Sequence, residues 1–224
     1  MNSFFISALL VAFSILMAGC GDTGTTSTEQ LSTNPKDYTW SGGVGTTYSY
    51  DYTTVRTDST GRDSTTVSAE FVISILNTDT LVGGFRTTKI LSTLRKDGKI
   101  LSSSTAHFTA NDSMFASVTD IAYQRILSNP IRINDTYYSY PAYTSVDTAV
   151  VLGINESVST QAGTFRGVKL QNRNIQSFTH VSTDSWYSPG NGSVKSITTL
   201  RDTRAQNKTV KAVTTISLRA VSRK

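Results

Sequence analysis

Few side chains in this chain are of the types that do covalent or acid–base chemistry, and their spacing limits what they could do. The 224 residues include one cysteine, Cys20, and two histidines, His107 and His180. A structural zinc site needs four Cys, His or carboxylate ligands and a catalytic one three, at short spacings that neither histidine offers. His180 and Asp184 share a face if their segment is a strand, yet four strand residues span about 13 Å. They cannot form a hydrogen-bonded base–orienter pair. No Gly-x-Ser-x-Gly elbow is present. The run Asp58-Ser59-Thr60-Gly61-Arg62-Asp63 has the carboxylates of a calcium loop but places Arg62 among them and lacks the closing bidentate Glu. Two glycine-rich stretches, Ser41-Gly42-Gly43-Val44-Gly45 and Val82-Gly83-Gly84-Phe85, lack the Lys-Ser/Thr and following helix that cradle a phosphate. They read as turns or bulges. The expectation is no catalytic centre, no metal and no cofactor, with both histidines ordinary strand residues.

Cys20 is the exception. It closes Leu16-Met17-Ala18-Gly19-Cys20, after an apolar stretch at residues 4–17 broken only by Ser7 and Ser14. That stretch is shorter than the roughly 20 residues a membrane-spanning helix needs, and has the length of a signal-peptide core. Met17-Ala18-Gly19-Cys20 resembles the bacterial lipobox, with Met17 where leucine is commonest and no Lys or Arg ahead of the apolar run. The resemblance implies cleavage between Gly19 and Cys20 and a diacylglyceryl group on the sulfur, often with a further acyl chain (such as palmitate) on the new amino terminus. Two or more chains hold a protein stably at a membrane. The alternative is a plain signal peptide with an incidental cysteine. The resemblance places the chain in the bacterial cell envelope, lipid-anchored. Gly21 rather than Asp after the cysteine favours the outer membrane where one exists. Once Cys20 is acylated no thiol remains for a disulfide, so stability rests on packing.

Residues 20–37 carry one large apolar side chain, Leu31, and read as the lipidated cysteine followed by a flexible Ser/Thr/Gly tether. With residues 1–19 as signal peptide, residues 38–224 form one domain. The net charge of +5 is dispersed, with Arg95-Lys96…Lys99 and Arg219…Arg223-Lys224 the only groups. That argues against nucleic-acid binding, which needs a clustered basic stripe. It leaves room for weak attraction to anionic lipid or polysaccharide. Five Asn-x-Ser/Thr sequons, at Asn111, Asn134, Asn155, Asn191 and Asn207, reflect a chain rich in Ser and Thr.

That composition, with ten tyrosines and many β-branched residues, favours strands. Val67, Ala69, Phe71, Ile73 and Ile75 alternate with polar residues at the strand period, as do Tyr48, Tyr50 and Tyr52. Val210, Ala212, Ile216, Leu218 and Ala220 mark a strand near the C terminus. Asp97-Gly98 between apolar runs predicts a tight hairpin, and residues 57–65 and 77–80 predict turns. Met114, Phe115, Val118, Ile121, Ala122 and Ile126 recur near helical spacing; this stretch is either one short helix or a strand at 113–118 followed by an irregular passage to Pro130. Val44-Gly45-Thr46-Thr47-Tyr48-Ser49-Tyr50 echoes Ile133-Asn134-Asp135-Thr136-Tyr137-Tyr138-Ser139-Tyr140. Each places a residue tolerant of positive φ before an aromatic strand, which predicts two β-meanders of related layout as halves of one curved sheet.

Two further segments carry a family resemblance. Residues 158–170, which include Ala162-Gly163-Thr164-Phe165 and Val168-Lys169, are similar to a "PAGTF…VK" segment, with Gln161 for the proline. Trp186-Tyr187-Ser188-Pro189-Gly190-Asn191-Gly192-Ser193-Val194-Lys195 is similar to "WYAPGVGLVK", with Asn191 and Ser193 as departures. Both segments occur in bacterial lipoproteins with an uncharacterised β-rich domain. The resemblance implies a strongly curved antiparallel sheet like the half-barrels of lipoprotein-localisation factors, and no established activity.

The fold expected is therefore all-β: a single strongly curved antiparallel sheet (half-barrel) or a β-sandwich, with at most one short helix besides the signal peptide. Two functions fit. In one, a concave face around Phe71, Ile73 and Ile75 holds a lipid or other hydrophobic small molecule, giving a carrier or envelope-assembly factor. In the other, the sheet is filled by its own side chains and the protein is a non-catalytic structural or protein-interaction module whose partner the sequence does not reveal.

Overall fold

The alternation of apolar and polar residues becomes a run of antiparallel strands joined in chain order. The computed structural model describes residues 31–58, 64–140, 146–176, 179–205 and 208–223. Their strands are β1 (Thr47–Thr57), β2 (Ser64–Val82), β3 (Phe85–Lys96), β4 (Lys99–Ala110), β5 (Met114–Val118) and β6 (Tyr123–Ser128). There follow β7 (Thr136–Tyr140), β8 (Val146–Thr160), β9 (Gly163–Gln176), β10 (Thr179–Ser188), β11 (Gly192–Ala205) and β12 (Lys208–Ser222). Each strand pairs with its neighbours in sequence, and β1 also pairs with β12 along its whole length. The single strongly curved antiparallel sheet expected of this all-β chain is what forms, and its curvature carries it round into an up-and-down barrel. Closure removes the free sheet edges that would otherwise template association.

Local expectations fare unevenly. Asp97 and Gly98 take φ of 51° and 74° and turn β3 into β4, as a two-residue hairpin requires. Residues 77–80 form no turn: β2 runs through them with register shifts between Ile75 and Thr80. The Asn77 side chain accepts from the Asp79 amide there, and the chain reverses instead at Gly83-Gly84, both at positive φ. Residues 114–128 hold no helix but the hairpin β5–β6. A bulge between Phe115 and Ala116 buries adjacent residues, which mimics helical spacing in the sequence. The turn expected at 57–65 falls partly outside the described residues.

The internal echo is structural. Gly45 N–H donates to Ile75 C=O, and Ile75 N–H donates to Thr46 C=O. Asn134 N–H donates to Val151 C=O, and Val151 N–H donates to Asp135 C=O. Gly45 and Asn134 have φ of 90° and 72°. Just beyond, β2 bulges after Ile75 and β8 after Val151. Strands β1–β6 and β7–β12 are thus two meanders of one plan. The hairpin tips that follow make different contacts. Gly83, between β2 and β3, lies against the Thr119 carbonyl next to β5, and Ala162, between β8 and β9, donates its N–H to the Leu218 carbonyl of β12.

One end of the barrel is stoppered by the segment that enters β1. Pro35–Tyr38 forms a 3-10 turn capped by the Asn34 side chain, and Lys36 pairs with Asp112 at 2.7 Å. The docked chain therefore begins ahead of residue 38, held by polar contacts that a hydrophobicity argument misses. Ser41 and Asp37 exchange backbone hydrogen bonds with Gly190, and Trp40 bridges to Asn191. Trp40 meets Phe108 and Phe115 edge-on at 5.1 and 6.2 Å, and Phe115 meets Tyr187 at 5.9 Å. These rings come from β4, β5 and β10, across the ring of strands, so their faces look inward. Each edge-on pair adds about 0.5–1.5 kcal/mol beyond area burial. Gly192, at φ 63°, makes room: a Cβ there would stand 2.5 Å from the Trp40 ring.

Candidate polar interior site

Register carries the inward face up each strand from this aromatic base. On β1, Tyr48 and Tyr50 are 0% and 2% exposed in the core, and Tyr52 and Thr54 continue the same face. Direct cross-strand partners then give a belt at one level of the barrel. Thr54 opposes Thr214, Thr214 opposes Thr198, Thr198 opposes Thr183 and Thr183 opposes Asn172, spanning β1, β12, β11, β10 and β9. One level nearer the base stand Tyr52, Ile216, Ser196, Ser185 and Leu170. Threonine suits these positions locally, because its branched Cβ fits a strand while its hydroxyl faces the lumen.

The belt is wired partly to itself. Thr54 donates to the Tyr52 oxygen at 2.9 Å and shares a 2.8 Å hydrogen bond with Thr214; Thr183 and Thr198 share one of 3.0 Å. Since Thr54 spends its only proton on Tyr52, Thr214 must donate to Thr54. The Tyr52 proton and one proton of the Thr183–Thr198 pair remain to be given. Asn172 supplies the converse: its Oδ1 is buried without a partner, one of three such side-chain atoms among the described residues, with Thr46 Oγ1 and Arg125 Nε. Tyr52, Thr183, Thr198, Thr214, Ser196 and Asn172 all keep partial exposure although they face inward in mid-strand. The lumen at this level is open to solvent, whereas Phe115, Leu218 and Tyr48 below it are 0% exposed.

The residues singled out in the sequence lie elsewhere. Phe71, Ile73 and Ile75 do share the inward face of β2, but Ile73 and Ile75 are 6% and 1% exposed within the packed core, and Phe71 lies against Tyr50 at 5.8 Å. They form the base of the lumen. Gly19 and Cys20 lie outside the described residues. His107 shares a 3.2 Å hydrogen bond with Thr87, and His180 is exposed. Asp184 pairs with Lys169 at 3.0 Å and accepts from Gln171, on the outer face with Trp186, over whose ring Lys169 sits at 4.9 Å. Among the described residues no group of three or more His, Cys, Asp or Glu could hold a metal, and no helix is long and apolar enough to cross a membrane.

Burial sets the proton chemistry of the core phenols. It pushes Tyr187 up to about 12, raises Tyr50 despite the hydrogen bond from Trp40, and raises Tyr38 to about 12 with help from the nearby Asp37 charge. These groups stay neutral at any physiological pH, as packing elements do.

Neither a family model nor a curated protein matches the sequence. Two solved structures are similar in fold. One, from Bacteroides fragilis, is provisionally described as an exported protein with a YmcC-like fold; it is 14% identical, with a TM-score of 0.47 over 82% of this chain and 98% of the other. The second, from Parabacteroides distasonis, is provisionally described as a lipoprotein; it is 14% identical, with a TM-score of 0.48 over 82% of this chain and 97% of the other.

Proposed function

We propose that this chain is a bacterial envelope lipoprotein, tethered through acyl chains on Cys20, whose barrel is a non-catalytic binding or interaction module rather than a carrier of hydrophobic ligands. The observation that carries the choice is the occupancy of the apolar part of the lumen by Trp40, Tyr48, Tyr50 and Phe115, which pack around Ile73 and Ile75. A lipid chain would have to displace this aromatic base. The lipobox-like Met17-Ala18-Gly19-Cys20 supports the tether.

Fractionation of cells expressing the full chain tests the first half of this reading. The wild type is expected in the membrane fraction and Cys20→Ser in the soluble envelope fraction with its barrel intact. Cys20→Ser remaining membrane-bound after signal cleavage would sink the tether. Native mass spectrometry of the Cys20→Ser chain purified from its host tests the second half. A stoichiometric co-purifying lipid would overturn the module in favour of the carrier.

A further inference from the structure

The geometry points to the threonine belt as a binding site for a neutral saccharide chain that enters the barrel from its open end. This goes beyond the reading above and does not depend on the tether. Three independent observations converge. First, five inward-facing residues at one register level on five adjacent strands, Thr54, Thr214, Thr198, Thr183 and Asn172, are all hydroxyl or amide. No charge interrupts them, so nothing here selects an anion or a cation. Second, four of the five, Asn172, Thr183, Thr198 and Thr214, are partly accessible and only Thr54 is buried, so the belt lines space and not a packed seam.

Third, the hydrogen-bond ledger is open in both senses. The Tyr52 proton and one of the Thr183–Thr198 protons have no acceptor in the belt, and Asn172 Oδ1 has no donor. Of these only the Asn172 oxygen is buried, and buried polar atoms are almost always satisfied. A sugar hydroxyl both donates and accepts, so one class of ligand meets both needs. Tyr52, one level nearer the base, keeps partial exposure, and an aromatic ring suits the C–H side of a pyranose. A lipid tail would leave every one of these groups unpaired, at about 1–3 kcal/mol for each buried one.

The test is binding of the purified full chain, in detergent, to a printed array of bacterial surface polysaccharides and peptidoglycan glycan fragments. The wild type is expected to retain at least one neutral glycan. Thr183→Val with Thr198→Val, which keeps shape and removes both hydroxyls, is expected to weaken that binding about tenfold or more with an unchanged circular dichroism spectrum. Should the double variant fail to fold, Tyr52→Phe removes a single hydroxyl and leaves its ring, with a loss of about fivefold expected. Absence of binding to every glycan by the wild type would overturn the proposal. So would retention at wild-type strength by the double variant, or by Tyr52→Phe, which would put any glycan contact elsewhere on the surface.

Discussion

Gly45 and Asn134 hold the same place in two halves of one barrel. Each donates its amide to the second strand after it, to Ile75 of β2 and Val151 of β8 respectively, from a left-handed backbone conformation. Asparagine tolerates that region better than other side chains, while φ of 90° at Gly45 suits glycine alone. Gly45→Ala should therefore cost about 1–2 kcal/mol and Asn134→Gly less than about 0.5 kcal/mol in either direction. Urea unfolding of both variants measures this. Equal losses would mean that the turns leading into β1 and β7 are not equivalent.

Gly167 lies on β9 just past its last pairing with β10, and a Cβ there would stand 1.9 Å from the Tyr187 carbonyl oxygen. Backbone cannot yield as a flexible side chain can. Gly167→Ala should lift the β8–β9 tip and break the Ala162–Leu218 hydrogen bond, at a cost of about 2–4 kcal/mol. Faster hydrogen exchange at Val158 and Ala162 reports the change. Wild-type protection there would show that the tip is held by other means.

Trp40 anchors the base through two edge-on aromatic contacts and a 3.1 Å hydrogen bond to the Tyr50 hydroxyl. Trp40→Ala should destabilise the barrel by about 3–5 kcal/mol, and Trp40→Phe by less. A denaturation midpoint shared with the wild type would mean that residues 35–41 merely rest on a barrel that stands without them.

The buried phenols fix the sign of the alkaline response. Tyr187 holds its proton to about pH 12 in the folded state but loses it near 10 when unfolded, and Tyr50 is shifted the same way. The unfolded chain thus binds fewer protons above pH 10, and stability falls as pH rises. The contribution is full below about pH 10, then declines by about 1.4 kcal/mol per pH unit for each such tyrosine. Urea midpoints at pH 9, 10 and 11 should fall with increasing slope, and more shallowly in Tyr187→Phe. A slope unaltered by that substitution would mean that Tyr187 ionises within the fold.

Arg219 bulges out of β12 and reaches both Asp51, at 3.5 Å, and Glu70, two carboxylates directly opposite each other on β1 and β2. Like charges across a ladder repel. Arg219→Ala should cost about 1 kcal/mol or less, since all three groups are more than a third exposed. Adding Glu70→Gln should restore most of that loss. A double variant no more stable than the single one would place the effect in packing of the Arg219 stem.

What the sequence revealed follows the range of each interaction. Alternation at Val67–Ile75, the Asp97-Gly98 turn and the kinship of residues 44–50 with 133–140 are local, and all could be read. Closure could not: it joins Thr47 to Ser222 across almost the whole domain, and no local pattern reports a pairing at that distance. The belt was hidden for a related reason. Thr54, Thr183, Thr198 and Thr214 sit on four strands in a chain full of threonine, and only register brings them to one level. The apolar alternation at Phe71, Ile73 and Ile75 revealed the inward face of β2 but not its depth, because Trp40 arrives from ahead of β1, beside a glycine-rich stretch that reads as a turn. A positive-φ turn at Gly190 and Gly192 beside an isolated tryptophan was the one available signal for that stopper.

The stopper also determines how the molecule takes a load. Residues 37–41 run antiparallel to the Gly190-Asn191 turn, with Trp40 wedged behind them. A pull on the chain upstream of β1 therefore meets backbone hydrogen bonds and a buried indole before any barrel strand is stressed. Under such a pull the first thing to give is the plug, and the sheet need not unzip.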